Sequence, residues 1–303
     1  MNKELRELFD SKHIVTQKIT LKNNVRIIDT GEEQFVIKRR DKDLNQLYKY
    51  LKSRSFDYFP EVVYQTENYD VYRYIEDIEI PKEERAEDLV KLLTLLHSKT
   101  TFYKEIDDDT YKELYEGIIK QLDYLLNYYN DIAELIEKEE YMSPSHYYFI
   151  RNISKVFASL SYCRYHIDKW YEVIEEKKRI RVVNLHNSLS LDHYLVDGEK
   201  PYLISWRLSK RDIPIYDMIK LYKIYYKDID FCELLRKYEM HYPFLSEEKE
   251  LFFVLISIPE RLDFGDGEYT MCKKIKKFYD YLTTSEKLRA DYLPKEKETI
   301  KMS

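Results

Sequence analysis

Residues 182–196 read VVNLHNSLSLDHYLV, and residues 201–206 follow with PYLISW. Val182 and Val183 make an apolar, strand-like lead-in that runs into His186. Tyr194, Leu195 and Val196 make a second apolar run, and polar residues fill the gap. Such a β-like island with a histidine at its mouth fits a hairpin, a metal site or a catalytic loop. The flanking sequence has to choose between them.

On both sides of the island the pattern is helical. Ser143-Pro144 makes an N-cap and first-turn pair, and a helix is expected from there to about Glu175. Helices return from Asp217 to the end. Upstream, residues 110–140 place Leu114, Ile118, Leu122, Leu125, Tyr129, Ile132 and Ile136 on one helical stripe. EERAEDLVKLLTLLHSKT is a further amphipathic helix. Before Pro81 the character is different. The runs ITLKN, VRIIDT and EEQFVIKRR, separated by the turn-like NN and TG, predict a small antiparallel sheet over 14–40. Leu44, Leu47, Tyr48 and Leu51 predict a helix over 41–56. YFPEVVYQTENYDVYRYIED predicts two more strands that turn at Glu67–Asn68. The N-terminal MNKELRELFDSK is charged and helix-like, and PKEKETIKMS at the end reads as frayed. The chain therefore divides into a β-rich lobe over 1–77 and a helical lobe over 78–303, with the boundary near 76–82 in IEDIEIP.

Composition sets the class. The chain has 303 residues, 35% charged and 44% hydrophobic, which is globular rather than disordered. The net charge of −6, with both signs mixed, argues against a nucleic-acid partner. No apolar run reaches the roughly 20 residues of a membrane span. With no apolar signal core at the N-terminus, a cytoplasmic chain is expected. Cys163, Cys232 and Cys272 are widely spaced with no CxxC pair, as expected for reduced, structural thiols. Cys163 and His166 could share a metal, but a buried thiol beside a helix-face histidine is the favoured reading. The 31 tyrosines fit either a cross-linked coat protein or codon bias; plentiful Lys and Ile favour the second.

This layout, and the island itself, resemble the protein-kinase-like fold, and within it the aminoglycoside phosphotransferase and choline kinase branch. There the catalytic loop reads H-x-D-L-x-x-x-N, followed by a hairpin, I-D-W or I-D-F, and D-x-P-x-x-D. The matching text here is His186-Asn187-Ser188-Leu189-Ser190-Leu191-Asp192-His193, then Ile204-Ser205-Trp206, then Asp212-Ile213-Pro214-Ile215-Tyr216-Asp217. Leu-His-Ser at 96–98 resembles the helix ending that precedes the long helices of that branch. The wording RDIPIYDMIKLY is most similar to spore-coat (CotS-type) kinase-like proteins. The resemblance spans about 14–285. It implies an α+β, bilobal kinase-like fold, with a small β-rich N-lobe carrying one helix and a mostly helical C-lobe with a short β hairpin.

The resemblance also assigns slots. Phe35-Val36-Ile37-Lys38 matches the third-strand V-x-I-K, so Lys38 is the expected nucleotide-phosphate contact. Its helix partner is usually a glutamate; here Asp41, Asp43 or Gln46 would have to serve. Phosphoryl transfer needs metal on the phosphates and a carboxylate to orient the nucleophile. Ser188 replaces the base aspartate, His193 the metal-binding asparagine, and Ser205 the metal-binding aspartate. Hydroxyls carry no charge, and imidazole suits magnesium poorly. His186, Pro214, Trp206 and Asp217 keep the framework, with Asp217 favoured at a helix N-terminus. Asp263-Phe264-Gly265 spells the kinase DFG but lies far beyond the ISW slot, so it reads as a loop. No Walker A, GxSxG or HExxH motif occurs.

The expected function is a pseudokinase that binds or scaffolds without phosphoryl transfer, with no cofactor and with an unknown protein or small-molecule partner. A place on a spore coat is compatible with it. One alternative is an active small-molecule kinase using ATP and magnesium, with Asp192, His193 and Asp197 as the nearby ligand candidates. Another is a small-molecule binder whose interlobe cleft is lined by tyrosines and Trp206. In that reading Asp228, Asp230 and the 263–266 loop would favour an amine ligand.

Overall fold

The computed structural model describes residues 3–22, 25–105, 108–198 and 200–293. In chain order its elements are α1 (Lys3–Ser11), β1 (Lys18–Lys22), β2 (Val25–Asp29), β3 (Gln34–Arg39), α2 (Asn45–Ser53), β4 (Val62–Gln65), β5 (Tyr69–Arg73), α3 (Lys82–Thr100), β6 (Phe102–Glu105) and α4 (Asp108–Glu137). They continue with α5 (Pro144–Ile150), α6 (Ser154–Glu175), β7 (Arg179–Leu185), β8 (Tyr194–Asp197), β9 (Lys200–Leu203), a short strand β10 (Lys210–Asp212), α7 (Ile215–Tyr225), α8 (Phe231–His241), α9 (Ser246–Ser257) and α10 (Glu268–Tyr292). The expected NN turn at 23–24 and the tail at 294–303 lie outside the described residues. The fold is α+β, with a small antiparallel-sheet lobe and a helical lobe. Contacts group the chain into two compact units, Met1–Thr100 with His186–Lys210, and Thr101–Leu185 with Arg211–Ser303. The expected change of character at 77/78 falls inside the first unit, between β5 and α3.

In the first unit the five strands run antiparallel in the order β1-β2-β3-β5-β4. Strand β3 alternates: Phe35 and Ile37 are buried, while Val36 and Lys38 point to the opposite face. Leu5 and Phe9 of α1 join Ile28, Phe35, Ile37 and Val71 in one buried cluster, so α1 covers that face of the sheet. Each such fully buried side chain contributes about 1.5–3 kcal/mol. The other face is left for the cleft that carries Lys38. Thr30-Gly31 makes the expected turn, with Gly31 at φ +88°, a conformation that glycine adopts without a Cβ clash. Helix α2 is shorter than its expected span. Asp43 Oδ1 accepts the Asn45 amide at 2.9 Å, and residues before it serve as a loop. Strands β8 and β9 form the expected hairpin, pairing Tyr194 with Leu203 and Asp197 with Lys200.

In the second unit α6 packs against α4 and α9. The expected stripe of α4 is the buried one, with Ile118, Leu122, Leu125, Tyr129 and Ile136 all inside. Ser143 caps α5, accepting the His146 amide at 3.3 Å. Two features differ from the sequence reading. The helix expected over 143–175 is broken into α5 and α6, because Asn152 Nδ2 donates to the Tyr148 carbonyl at 3.0 Å and competes with the helical ladder. Strand β6, unanticipated, pairs antiparallel with β7, Phe102 opposite Val182. Asp263-Phe264-Gly265 lies in the loop between α9 and α10, where Phe264 packs edge-on against Phe149 at 5.0 Å.

Candidate functional site

The island folds as a braced loop inside the first unit. His186 is fully buried, and its Nε2 lies 2.8 Å from the Ile204 carbonyl. A carbonyl only accepts, so Nε2 carries the proton. The His186 ring meets Trp206 edge-on at 4.8 Å. Trp206 Nε1 donates to the Leu203 carbonyl at 2.7 Å, and Phe56 and Phe59 flank the indole. The Ile204 amide donates to the His193 carbonyl at 2.9 Å, and the Leu203 amide to the Tyr58 carbonyl at 2.8 Å. Two residues of the loop hold left-handed backbone, Asn187 at φ +61° and Ser205 at φ +71°. For a non-glycine residue this costs of order 1–3 kcal/mol, so the surrounding bonds fix it. Asn187 contributes one such bond, Nδ2 to the Leu208 carbonyl at 2.7 Å.

The loop and the open face of the sheet enclose a cleft with two connected arms. The larger arm is about 640 Å³ and is lined by Ile27, Val36, Tyr74, Ile75, Leu191 and Ile204 among others. The smaller is about 380 Å³ and includes Tyr48, Asp70, Ser188 and Trp206. Lys38, Tyr72, His193 and Ser205 line both. The structure thus brings Lys38, Ser188, His193 and Ser205 together. Asp192 is exposed and lines only the larger arm. Asp197 lies on the hairpin and lines neither arm. Tyr194 is buried and lines neither arm. Asp217 is fully buried in the first turn of α7, in the second unit. There too, Asp230 caps α8 through the Glu233 amide, and Asp263 pairs with Arg261.

The electrostatics of Lys38 differ from expectation. Asp41 pairs with Arg207 at 2.9 Å and Arg39 at 3.8 Å, and Asp43 pairs with Arg40 at 3.2 Å. Neither reaches Lys38, and Gln46 is exposed. Lys38 has no anionic partner among the described residues, and burial lowers its pKa. Helix α2 instead presents Tyr48, stacked on Phe59 at 4.5 Å. Burial of Tyr72, reinforced by the charge of Asp70, pushes the Tyr72 phenol up to about 12.

Sequence reading missed four contributors. Asp77 accepts the Val196 amide at 2.9 Å and pairs with Arg85, which also donates to the Tyr194 carbonyl at 2.7 Å, so the pair ties the hairpin to the 77–85 segment. Arg207 and Lys42 line the smaller arm. None belongs to a motif, and each is brought in by pairing across long stretches of chain. Cys163 donates to the Val254 carbonyl and burial pushes its thiol up to about 12, while His166 pairs with Glu250. Among the described residues no group of three or more His, Cys, Asp or Glu side chains could hold a metal ion. No helix there is long and apolar enough to cross a membrane.

An aminoglycoside phosphotransferase from Alicyclobacillus acidocaldarius subsp. acidocaldarius DSM 446 superposes with a TM-score of 0.68 at 9% identity, covering 91% of both chains. The chain has the protein-kinase-like fold of the aminoglycoside phosphotransferases. A spectinomycin phosphotransferase, solved in complex with ADP and spectinomycin, gives 0.52 at 12% identity, over 95% of this chain and 98% of that one. At these identities the likeness is one of fold. No protein-family model matches the sequence, and no curated protein matches it.

The donor set of the smaller arm, where Asp41 and Asp70 are already engaged, is a poor fit for magnesium. That ion takes hard oxygen ligands in octahedral array, with carboxylates supplying charge. Ser188 and Ser205 bring two neutral hydroxyls and His193 an imidazole, whose Nδ1 is already engaged with the Ser188 carbonyl at 2.6 Å.

Proposed function

We propose that this chain is a pseudokinase, a kinase-fold protein that binds a partner or small molecule without transferring a phosphoryl group. The observation that carries this reading is the set of side chains around Lys38. Ser188, His193 and Ser205 occupy the charge-handling positions, and the two carboxylates of the smaller arm, Asp41 and Asp70, are already engaged with cations or amides. A metal-held triphosphate and a base for the nucleophile both need free carboxylates there. The braced loop supports the same reading, since its framework serves binding as well as catalysis. Neither ATP nor magnesium is a working cofactor in it. The likeness of RDIPIYDMIKLY to spore-coat kinase-like proteins supports a scaffold role in an assembly, with the chain in the cytoplasm or on the coat.

The test is turnover. Purified protein is incubated with ATP and magnesium or manganese, with and without aminoglycosides and choline, and ADP is measured. The expected result is no ADP above the protein-free rate. Metal-dependent ADP release that is lost in Asp192→Asn would establish instead the active-kinase reading, which the place of Asp192 in the same cleft favours.

A further inference from the structure

The five-stranded sheet has two outer strands, β1 and β4, and they are finished differently. At the β4 edge side chains of α2 reach across: Asn45 Nδ2 donates to Gln65 Oε1 at 3.1 Å, and Lys52 pairs with Glu61 at 2.5 Å. Strand β1, reading KITLK, pairs only with β2, so one edge of its backbone carries no ladder. The register sets Ile19 opposite Ile28 and Leu21 opposite Arg26. Residues directly opposite share a face of the sheet. Ile19 and Leu21 therefore lie on the face that α1 packs, where Ile28 is buried. The cover of α1 stops short of them: Ile19 is 45% exposed and Leu21 73%. Lys18 and Arg26 have no ion-pair or hydrogen-bond partner for their side chains among the described residues, and the strand holds two lysines and no acid.

We propose that the β1 edge accepts an extended segment of another protein in which acidic and apolar residues alternate. The segment adds a sixth strand, and its amides and carbonyls pair with the open edge. Its apolar residues lie over Ile19 and Leu21, and its acidic residues, on the opposite face, meet Lys18. Arg26, beside Leu21, adds positive charge to the same edge. A second copy of this chain fits less well. Two β1 strands paired antiparallel about Thr20 oppose lysine to lysine at both ends, which is destabilising. A strand of five residues also buries far less than the roughly 1,000 Å² of a stable interface, so the partner is a transient one. The lysines thus bar self-pairing, the usual hazard of an open edge, and select an acidic strand. Among the described residues none of β1 lines either arm of the cleft, so the inference holds whether or not the chain turns over ATP.

The probe is a short fluorescein-labelled peptide alternating glutamate and valine, titrated with the full chain and read by fluorescence anisotropy. Saturable binding is expected. Methylating alternate backbone amides of the peptide keeps its charge, removes the edge hydrogen bonds and should abolish binding. Lys18→Glu should weaken the glutamate peptide about threefold, the size of one cross-strand charge pair, and strengthen a lysine–valine peptide by a similar factor. Damage to the fold cannot produce that opposite pair of changes. Leu21→Asp, at an exposed site, should weaken the glutamate peptide at least about tenfold, by removing apolar surface and opposing like charge. No binding, equal binding of the methylated peptide, or no shift of preference in Lys18→Glu overturns the inference. So does a solution mass that doubles with concentration and returns to that of one chain in Leu21→Asp, because a second copy then covers the edge.

Discussion

His193 Nδ1 lies 2.6 Å from the carbonyl oxygen of Ser188, so a side chain at one end of the loop holds the backbone at the other. Because the carbonyl only accepts, Nδ1 carries the proton and the ring clamps the loop at both ends of Ser188–His193. His193→Ala removes that donor and should cost about 1 kcal/mol, a fall of a few degrees in Tm. His193→Asn can present its amide near the Nδ1 position and should hold most of the stability. Thermal melts of the two variants check this. Equal losses would mean that the bond contributes nothing.

Ser205 pays a conformational cost that glycine would not. At φ +71° and ψ 45° its Cβ crowds the backbone. Ser205→Gly should therefore be neutral to stabilising, by up to about 1 kcal/mol, because the strain removed is partly offset by the freer unfolded chain. Ser205→Asp should also fold, since Asp tolerates this region better than most residues. Urea denaturation of both variants is the measurement, and a marked loss in Ser205→Gly would show that the hydroxyl is structural.

In the second unit Tyr281 buries a hydroxyl with no hydrogen-bond partner among the described residues, packed against the rings of Tyr222 and Tyr226 at 5.7 and 4.9 Å. An unsatisfied buried hydroxyl costs about 1–3 kcal/mol. Tyr281→Phe deletes it and keeps the ring, so stability should be unchanged or higher. If the variant melts several degrees lower, an ordered water is bonded to the phenol, and the packing of three tyrosines encloses it.

Glu268 accepts from the Ser145 amide at 3.0 Å and the Ser145 hydroxyl at 2.9 Å, linking the first turn of α10 to the first turn of α5. Hydrogen bonds from Ser143 and from the Ser145 amide hold its carboxyl below the usual 4.5. A depressed folded pKa adds stability that is present above pH 4.5 and is lost as pH falls through the lower folded value. Melting temperature against pH, from 3 to 7, should drop more steeply for the parent chain than for Glu268→Gln in the acid range. Parallel curves would sink the assignment.

Most of the elements were legible because their signals are local. The extended run EEQFVIKRR told that β3 is a strand, and the stripe from Ile118 to Ile136 told which face of α4 is buried. The loop around His186 was legible through its resemblance to the kinase-like pattern, since the polar gap between two apolar runs left a hairpin, a metal site or a catalytic loop open. The break at Asn152 was not, since it depends on one side chain choosing the Tyr148 carbonyl over solvent. Strand β6 was hidden because four residues after a helix carry no pattern until β7 pairs with them.

By itself the sequence determined residue identity, the hydroxyls of Ser188 and Ser205, the imidazole of His193 and the lysine of β3. Only tertiary structure decided what surrounds them. Asp41 and Asp43, candidates for Lys38 by sequence, are drawn instead to Arg207 and Arg40, and Arg207 and Lys42 arrive from opposite ends of the unit. Residue identity is local, but a net charge in a cleft is a sum over side chains more than a hundred and sixty positions apart, and only the folded chain brings them within Coulomb range.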